Sequence, residues 1–162
     1  MRKGLRDKKH PYAAYILLVL MLSLIFGLSS QQGRSSHNLS INICKKVVMF
    51  LDNNAKLGLE EKQYLNFVKY LDIFMRKAAH IVEYAMLGAI LYVVVSPSIH
   101  GIGKQIIFVI VFLMLAGCVD EFHQLYVLAR DGKWQDVVVD MIGGSIGLMV
   151  TVWGTLLKGQ SK

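Results

Sequence analysis

The sequence is poor in cysteine and proline, with only two of each among its 162 residues. Cys44 and Cys118 lie far apart and form no CxxC pair, so a disulfide framework is excluded. Zinc-finger spacing is also absent, and no basic cluster is interleaved with aromatic residues. These absences argue against a nucleic-acid-binding protein, although the formal net charge is +7.

The short motifs of several enzyme classes are missing as well. The chain has no HExxH motif, no nucleophile elbow and no phosphate-binding loop. It also has no evident internal repeat, and its hydrophilic segments are too short to form a separate soluble domain. We therefore expect one domain over residues 1–162. No short motif indicates which reaction the protein would catalyse.

Apolar residues are what the sequence has in excess. Hydrophobic residues make up 54% of the chain and the mean hydropathy is +0.46, whereas soluble domains are about 45–50% apolar. A helix that spans a bilayer needs roughly 20 mostly apolar residues. Four runs approach this length, at about residues 12–29, 78–96, 106–128 and 137–157. The sequence thus predicts an all-α, polytopic membrane protein with four transmembrane helices and the lipid bilayer as a partner.

The connection between the first two spans, at about residues 30–75, has a different character. Apolar residues recur in it at helical spacing, first at Ile41, Cys44, Val48 and Leu51 and then at Leu65, Val68, Leu71 and Met75. This period predicts two amphipathic helices. We expect them either to lie flat at the membrane surface or to cap a site beneath them.

The N-terminal tail sets the expected orientation. Five Lys or Arg residues precede the first apolar run, which favours a cytoplasmic N-terminus. Four spans then place both termini in the cytoplasm and the long first connection outside. A cleaved signal peptide is the alternative for the first run, because Gly27 and Ser29 offer small residues near its end.

Ionisable residues lie within the predicted spans, each near the span end that faces outside. Because successive spans alternate in direction, all of them fall in one leaflet. They are His80 and Glu83 in the second span, those of the stretch Asp120 to Gln124 in the third, and Asp136 and Asp140 at the head of the fourth. A carboxylate at mid-bilayer costs about 2.5–3.5 kcal/mol, so we expect these side chains to group around one hydrated pocket rather than face lipid.

Helical spacing supports this grouping. The polar residues recur on one face of each span, as Arg76–His80–Glu83, Asp120–Gln124 and Asp136–Asp140. Gly143 and Gly147 form a GxxxG step in the fourth span, and small residues allow helices to approach closely. We expect this step to bring the fourth span against a neighbour just below the polar level.

Several uses of such a pocket remain open. The carboxylates could hold Mg²⁺, Mn²⁺ or Ca²⁺, or they could work with histidine as general acids and bases. Basic residues beside them could bind a phosphate. A salt-bridge cluster that only holds the helices together is the structural alternative. An ion pathway is disfavoured, because transport sites lie near the midplane. The candidate metal ligands are Asp120, Glu121, Asp136 and Asp140.

Four pieces of the sequence resemble the VanZ-like family of bacterial membrane proteins. They are "SSQQ" after the first span, "RKAAHIVEY", "DEFHQLYVLAR" and "DVVVDMIGGSIG". Their order and their positions at span ends carry the resemblance over nearly the whole chain. Two features depart from the family: Leu128 and Ala129 stand where relatives commonly have proline and glycine, and the first connection is longer than in many relatives.

The resemblance implies a multi-pass protein of the bacterial cytoplasmic membrane, associated with resistance to glycopeptides, notably teicoplanin. We expect it to bind or act on a lipid-linked or headgroup substrate in the outer leaflet. A non-catalytic envelope protein that binds lipid, cell-wall precursor or antibiotic is the alternative. The predicted catalytic residues are His80, Glu83, Asp120, Glu121, Gln124, Asp136 and Asp140. The predicted substrate-binding residues are Ser30, Gln31, Arg76, Lys77, Tyr84 and Arg130.

Overall fold

The structure is a computed structural model that describes residues 11–30, 33–127 and 132–160. In these ranges the chain forms five α-helices and no strand, which confirms the all-α prediction. The helices are α1 (Pro11–Ser29), α2 (Gly33–Ala55), α3 (Glu61–Val95), α4 (Ile102–Gln124) and α5 (Trp134–Gln160).

Four of the helices, α1, α3, α4 and α5, are long and apolar enough to cross a membrane. Their positions confirm the four predicted spans. Two exposed tryptophans mark the ends of the apolar part of α5: Trp134 is 73% exposed and Trp153 is 69% exposed. Trp153 follows Trp134 by 19 positions, which is about 28 Å along the helix and close to the roughly 30 Å of a hydrocarbon core. Tryptophan is enriched at both membrane interfaces.

Helix α3 is longer than the sequence analysis predicted. It runs without interruption over 35 residues, so the second amphipathic helix and the second span are one element. At about 1.5 Å per residue it extends roughly 52 Å, which exceeds the hydrocarbon thickness by about 20 Å. The expectation of a separate helix lying flat on the membrane is therefore wrong for residues 61–75, because no proline or glycine interrupts the helix before the span.

Helix α2 packs against the N-terminal part of α3 as a helical hairpin. Its small core consists of buried Cys44 and Val48 from α2 and Val68 from α3. The chain reverses through Lys56 and Gly58, which both have positive φ angles, of 51° and 62°. Such angles are readily adopted by glycine and rarely by other residues. The hairpin therefore has its own packed interface, separate from the bundle core.

Helix α3 lies at the centre of the fold and contacts each of the other four helices. The larger core is built around the C-terminal half of α3, where Tyr84 and Leu87 are fully buried. The other helices contribute buried residues to the same cluster, namely Met21 and Ile25 of α1, Val109 and Leu113 of α4, and Leu148 of α5. The central position of α3 allows its polar residues to meet residues from α4 and α5.

Glycines on α5 permit a close approach to α3. A Cβ atom at Gly143 would lie 2.4 Å from the backbone oxygen of Ile81, and one at Gly147 would lie 1.8 Å from that of Ala85. Both distances are too short for any side chain. The GxxxG step therefore packs directly on the backbone of a neighbouring span, which confirms its predicted role.

Candidate functional site

Three ionisable side chains from three helices meet inside the bundle, and we call them the central triad. A hydrogen bond of 3.1 Å joins His80 Nδ1 of α3 to Asp140 Oδ1 of α5. Asp120 of α4 completes the triad, and one possible metal-binding atom from each residue lies within 4.8 Å of the other two. Both aspartates are fully buried, whereas the His80 side chain is 25% exposed. The structure thus brings together three of the ionisable residues that the sequence predicted to group.

The helices bring the triad to one level. Asp140 follows Trp134 by six residues and Asp120 precedes the last residue of α4 by four, which correspond to about 9 Å and 6 Å along the helices. Gly117, one turn before Asp120, faces α5, because a Cβ atom there would lie 3.3 Å from Val137 Cγ1 and 3.6 Å from Asp140 Oδ2. The three residues of the triad therefore lie toward the same end of the bundle, the end at which α4 finishes and α5 begins.

Buried oxygen atoms at the triad lack hydrogen-bond partners in the described part of the chain. They are Asp120 Oδ1, Asp140 Oδ2 and the hydroxyl of Tyr84. Tyr84 lies one turn below His80 on α3, and its phenol lies within electrostatic range of Asp140 and Asp120. A buried polar group without a partner costs about 1–3 kcal/mol. Buried polar groups are usually hydrogen-bonded, so each of these three atoms needs a physical explanation.

Glu121 and Gln124 form a second polar layer on α4. Gln124 Nε2 donates to Asp120 Oδ2 at 3.1 Å and to Glu121 Oε1 at 3.3 Å. The other oxygen of Glu121 accepts a hydrogen bond of 2.7 Å from the backbone nitrogen of Lys133. These contacts orient one oxygen of Asp120 and fix the start of α5. Both residues belong to the predicted site, and the structure places them beside the triad.

Lys77 and Asp136 lie one turn further out than the triad. Their side chains form an ion pair of 3.3 Å that connects α3 to the start of α5. Both are partly exposed, at 46% and 30%. Arg76 points instead to the hairpin, where Nη2 lies 3.1 Å from Asp72 Oδ2. The structure thus groups Lys77 and Asp136 at the mouth of the site and pairs Arg76 with a residue outside the predicted set.

The remaining predicted site residues are Glu83, Ser30, Gln31 and Arg130. Glu83 is half-buried on α3 and lies within electrostatic range of His80. Ser30 is exposed, and its hydroxyl donates to the backbone oxygen of Phe26 within its own helix end. Gln31 and Arg130 lie outside the described residues.

Three buried polar residues in the described ranges lie outside the predicted site, namely Ser29, Asp72 and Gln105. Ser29 is 4% exposed, and its hydroxyl has no hydrogen-bond partner among the described residues. Asp72 is 1% exposed and accepts a hydrogen bond from the Ser40 hydroxyl across the hairpin. Asp72 lies on the face that carries Val68, four residues earlier, so helical spacing could have indicated its burial. No sequence signal distinguished Ser29 from its neighbour Ser30.

An apolar groove of about 560 Å³ lies between α4 and α5 on the lipid-facing surface of the bundle. It extends from Val137 to Met149, over twelve residues or about 18 Å of helix. Its upper end begins one residue after Asp136, at the mouth of the site. Its lining consists of Met114, Val137, Val138, Met141, Ile142, Ser145, Ile146 and Met149. The groove has about the length of one leaflet of a bilayer.

The site combines three chemical capabilities. Its carboxylates and imidazole can bind a cation or move protons. The ammonium group of Lys77 at the mouth can attract an anion. The apolar groove beside it can accept a hydrocarbon chain. Together these features suit a molecule with a charged end and an apolar end.

The four apolar spans around a buried polar cluster define a polytopic α-helical membrane protein with an intramembrane polar site. The chain belongs to the VanZ/LLP1 family, whose sequence model matches residues 14–157. This match covers nearly the whole chain and confirms the resemblance found in the sequence. No curated protein and no solved structure matches the chain.

Proposed function

We propose that this protein resides in the bacterial cell envelope and uses its polar site to bind, and to act on, the headgroup of a lipid or lipid-linked envelope component in the outer leaflet. The observation that carries the proposal is the set of buried oxygens on three helices that have no hydrogen-bond partner among the described residues. In this proposal the phosphate or sugar end of a lipid reaches them from the interface. A cluster that served packing alone gains nothing from leaving these atoms unpaired.

The apolar groove supports a lipid rather than a water-soluble substrate. Because the groove begins at Val137, next to Asp136, a hydrocarbon chain in it and a headgroup at the site would contact the same helix. The three methionines that line it are flexible, and methionine adapts to irregular apolar partners. In this proposal the acyl or prenyl chain lies along α5 while the headgroup enters between α3 and α5.

The proposed roles of the residues follow from their positions. Lys77, at the mouth, binds the anionic part of the headgroup, with Arg76 and Arg130 as further cationic candidates. In the catalytic version, His80 exchanges a proton with the substrate while Asp140 orients the imidazole through the 3.1 Å hydrogen bond. Altered envelope lipids or precursors would then explain the family's association with glycopeptide resistance.

A non-catalytic role is the second candidate, and a specific observation favours it. Side-chain contacts tie α3 to α5 at two levels, through His80 with Asp140 and through Lys77 with Asp136. These contacts would hold the helices together even without a substrate. In this version the protein binds lipid, cell-wall precursor or antibiotic, and the charged cluster is structural.

An experiment with Asp120→Asn separates the two candidates. If the protein is an enzyme, cells that carry the variant should show the same lipid and precursor composition as cells without the protein, because the amide cannot replace the carboxylate. Lipid mass spectrometry measures this composition, and teicoplanin susceptibility provides the phenotype.

Glu61→Gln is the control, because it also converts an acidic residue to an amide but lies exposed at the start of α3. It should behave like the unmodified protein. The catalytic version is wrong if Asp120→Asn inserts in the membrane at normal levels and retains the full change in lipid composition.

A further inference from the structure

We propose that His80, Asp120 and Asp140 form a binding site for one divalent transition-metal ion, such as Mn²⁺ or Zn²⁺. The Tyr84 hydroxyl lies beside this site as a fourth polar group. This inference rests on the arrangement of the three residues and holds whether or not the protein acts on a lipid. It goes beyond the proposed function because it names a ligand and the residues that bind it.

The spacing of the triad suits a single ion. One donor atom from each residue lies within 4.8 Å of the others. A triangle with sides of 4.8 Å has its centre about 2.8 Å from each corner, and metal ligands bind at about 2.0–2.2 Å. Side-chain rotations that move each donor atom by less than about 1 Å would therefore bring the three ligands to bonding distance of the ion, with no movement of the helices.

The unpartnered atoms point independently to a ligand. Asp120 uses one oxygen to accept from Gln124, and its other oxygen has no partner among the described residues. Asp140 likewise uses one oxygen for His80 and leaves the other without a partner in the same part of the chain. Each aspartate thus keeps one fully buried oxygen available. The hydroxyl of Tyr84 is also buried and lies within electrostatic range of both aspartates.

Charge balance supports a divalent cation. Two fully buried carboxylates carry a formal charge of −2, and isolated buried charges are costly. Neither aspartate forms an ion pair with a Lys or Arg in the ranges that the structure describes. Lys77 is paired with Asp136, and Arg76 is paired on the hairpin. A divalent ion between the two carboxylates would neutralise them.

The donor set favours a transition metal over Mg²⁺ or Ca²⁺. Calcium and magnesium prefer oxygen ligands alone, whereas imidazole nitrogen suits zinc and related first-row metals and carboxylate suits manganese. One imidazole and two carboxylates combine these preferences. A cation held here would also draw the anionic part of a headgroup toward the triad, so the site is compatible with the proposed function without depending on it.

Metal binding can be measured directly on the purified full-length protein in detergent or nanodiscs. After treatment with a chelator and removal of it, the protein should bind one equivalent of Mn²⁺ or Zn²⁺, as counted by elemental analysis after desalting. Titration with either ion should raise the unfolding temperature, because a ligand that binds only the folded state stabilises it. Mg²⁺ at the same concentration should produce a smaller shift.

Variants locate the ion. Asp120→Asn, Asp140→Asn and His80→Gln should each weaken binding by at least about tenfold, since each removes one of three ligands. Asp136→Asn is the matched comparison, because it removes a negative charge one turn from Asp140 but no proposed ligand. It should change the affinity by less than about threefold, through the electrostatic field alone.

A spectroscopic measurement distinguishes loss of a metal ligand from loss of folding. Bound Cu²⁺ used as a probe should show nitrogen hyperfine coupling from His80 by electron paramagnetic resonance, and His80→Gln should abolish this coupling. Tyr84→Phe, which keeps the shape of the side chain, should retain one equivalent of metal. The variants' elution in size-exclusion chromatography reports whether they remain folded.

Two results would overturn the proposal. The first is an unmodified protein that neither binds nor is stabilised by Mn²⁺ or Zn²⁺. The second is binding that Asp136→Asn weakens as much as Asp120→Asn does, which would indicate a diffuse acidic surface or an adventitious ion only. Because these measurements contain no substrate, they can fail while the lipid composition still changes, and the lipid experiment can fail while metal binding persists.

Discussion

At the scale of single residues, burial decides what each carboxylate can do. Asp120 and Asp140 share one point with His80, and each keeps a buried oxygen without a described partner. Asp136, only one turn away on α5, is partly exposed and paired with Lys77. The sequence predicted all of these acidic residues as one group. It could not rank them, because helical spacing places residues on a face without stating which neighbour each side chain meets.

Cys44 offers a probe of a second buried carboxylate. Burial raises the pKa of its thiol, and the negative charge of Asp72 raises the pKa further. Because only the thiolate reacts with maleimide, we expect Cys44 to react at pH 7 at least about tenfold more slowly than an exposed cysteine. The rate should increase as the pH rises through 9 and above. The measurement uses a Cys118→Ser background, so that Cys44 is the only thiol.

Removal of the Asp72 charge should speed this reaction. Asp72→Asn removes the charge that raises the pKa of Cys44 and weakens the hydrogen bond from Ser40 across the hairpin. Loss of the charge lowers the pKa of the thiol, so more thiolate is present at pH 7 and the reaction is faster. Glu61→Gln should leave the rate unchanged. An equal rate in the Asp72→Asn variant would show that neither the charge nor the hydrogen bond protects the thiol.

At the scale of elements, α3 is the main difference between prediction and structure. The pattern of residues 61–75 is amphipathic and that of residues 78–96 is apolar, so the sequence was divided where the pattern changed. The backbone is instead one continuous helix, because no proline or glycine lies between the two segments. The change of pattern instead marks the point where α3 leaves the bundle and pairs with α2 alone.

The contact between α3 and α5 depends on glycine. A substitution that adds a single methyl group to α5 tests this dependence. Gly147→Ala places a Cβ atom 1.8 Å from the backbone oxygen of Ala85, so the two helices must separate. We expect an unfolding temperature lower by several degrees and loss of the central triad's geometry, because overpacking costs about 1–3 kcal/mol. Thermal unfolding in detergent measures the change.

Gly154→Ala is the matched control on the same helix. A Cβ atom at Gly154 meets nothing within 4 Å, and alanine is about 1 kcal/mol more favourable than glycine inside a helix. This variant should be as stable as the unmodified protein or slightly more stable. If both variants unfold alike, the close packing of α5 on α3 is not what holds the spans together.

At the scale of the whole molecule, the hairpin and the polar site lie toward the same side of the membrane. The hairpin uses the N-terminal part of α3, and His80 lies just after the midpoint of that helix, where it meets residues near the start of α5 and the end of α4. We propose that this side faces outward, from the positive charge of the N-terminal tail. A substrate would then approach the site between the hairpin and the bundle.

Cysteine labelling tests this orientation. Asn53→Cys lies exposed near the tip of the hairpin, and Lys158→Cys lies exposed near the end of α5. In intact cells, a membrane-impermeant maleimide should label Asn53→Cys at once and Lys158→Cys only after permeabilisation. Both are measured in the Cys118→Ser background. The reverse pattern would place the hairpin and the site in the cytoplasmic leaflet.

Residue order and hydropathy were enough to predict the class of the protein and to group the three polar residues that meet in the bundle. Run length and hydropathy predicted four spans, since a bilayer requires about 20 apolar residues per crossing. The alternating direction of the spans placed His80, Asp120 and Asp140 in one leaflet, and the GxxxG step indicated a close helix contact. These conclusions depend on spacing along the chain, which the printed sequence contains.

Only the tertiary structure decided which polar atoms meet and which remain without partners. It joined His80 to Asp140, placed Asp120 beside them and left the Tyr84 hydroxyl buried. It also showed that α3 continues into a hairpin closed by buried Asp72. The physical reason is that side-chain pairing depends on how each helix is rotated and shifted against its neighbours. Packing between helices sets this rotation and shift, whereas the hydrophobic period of a single helix does not.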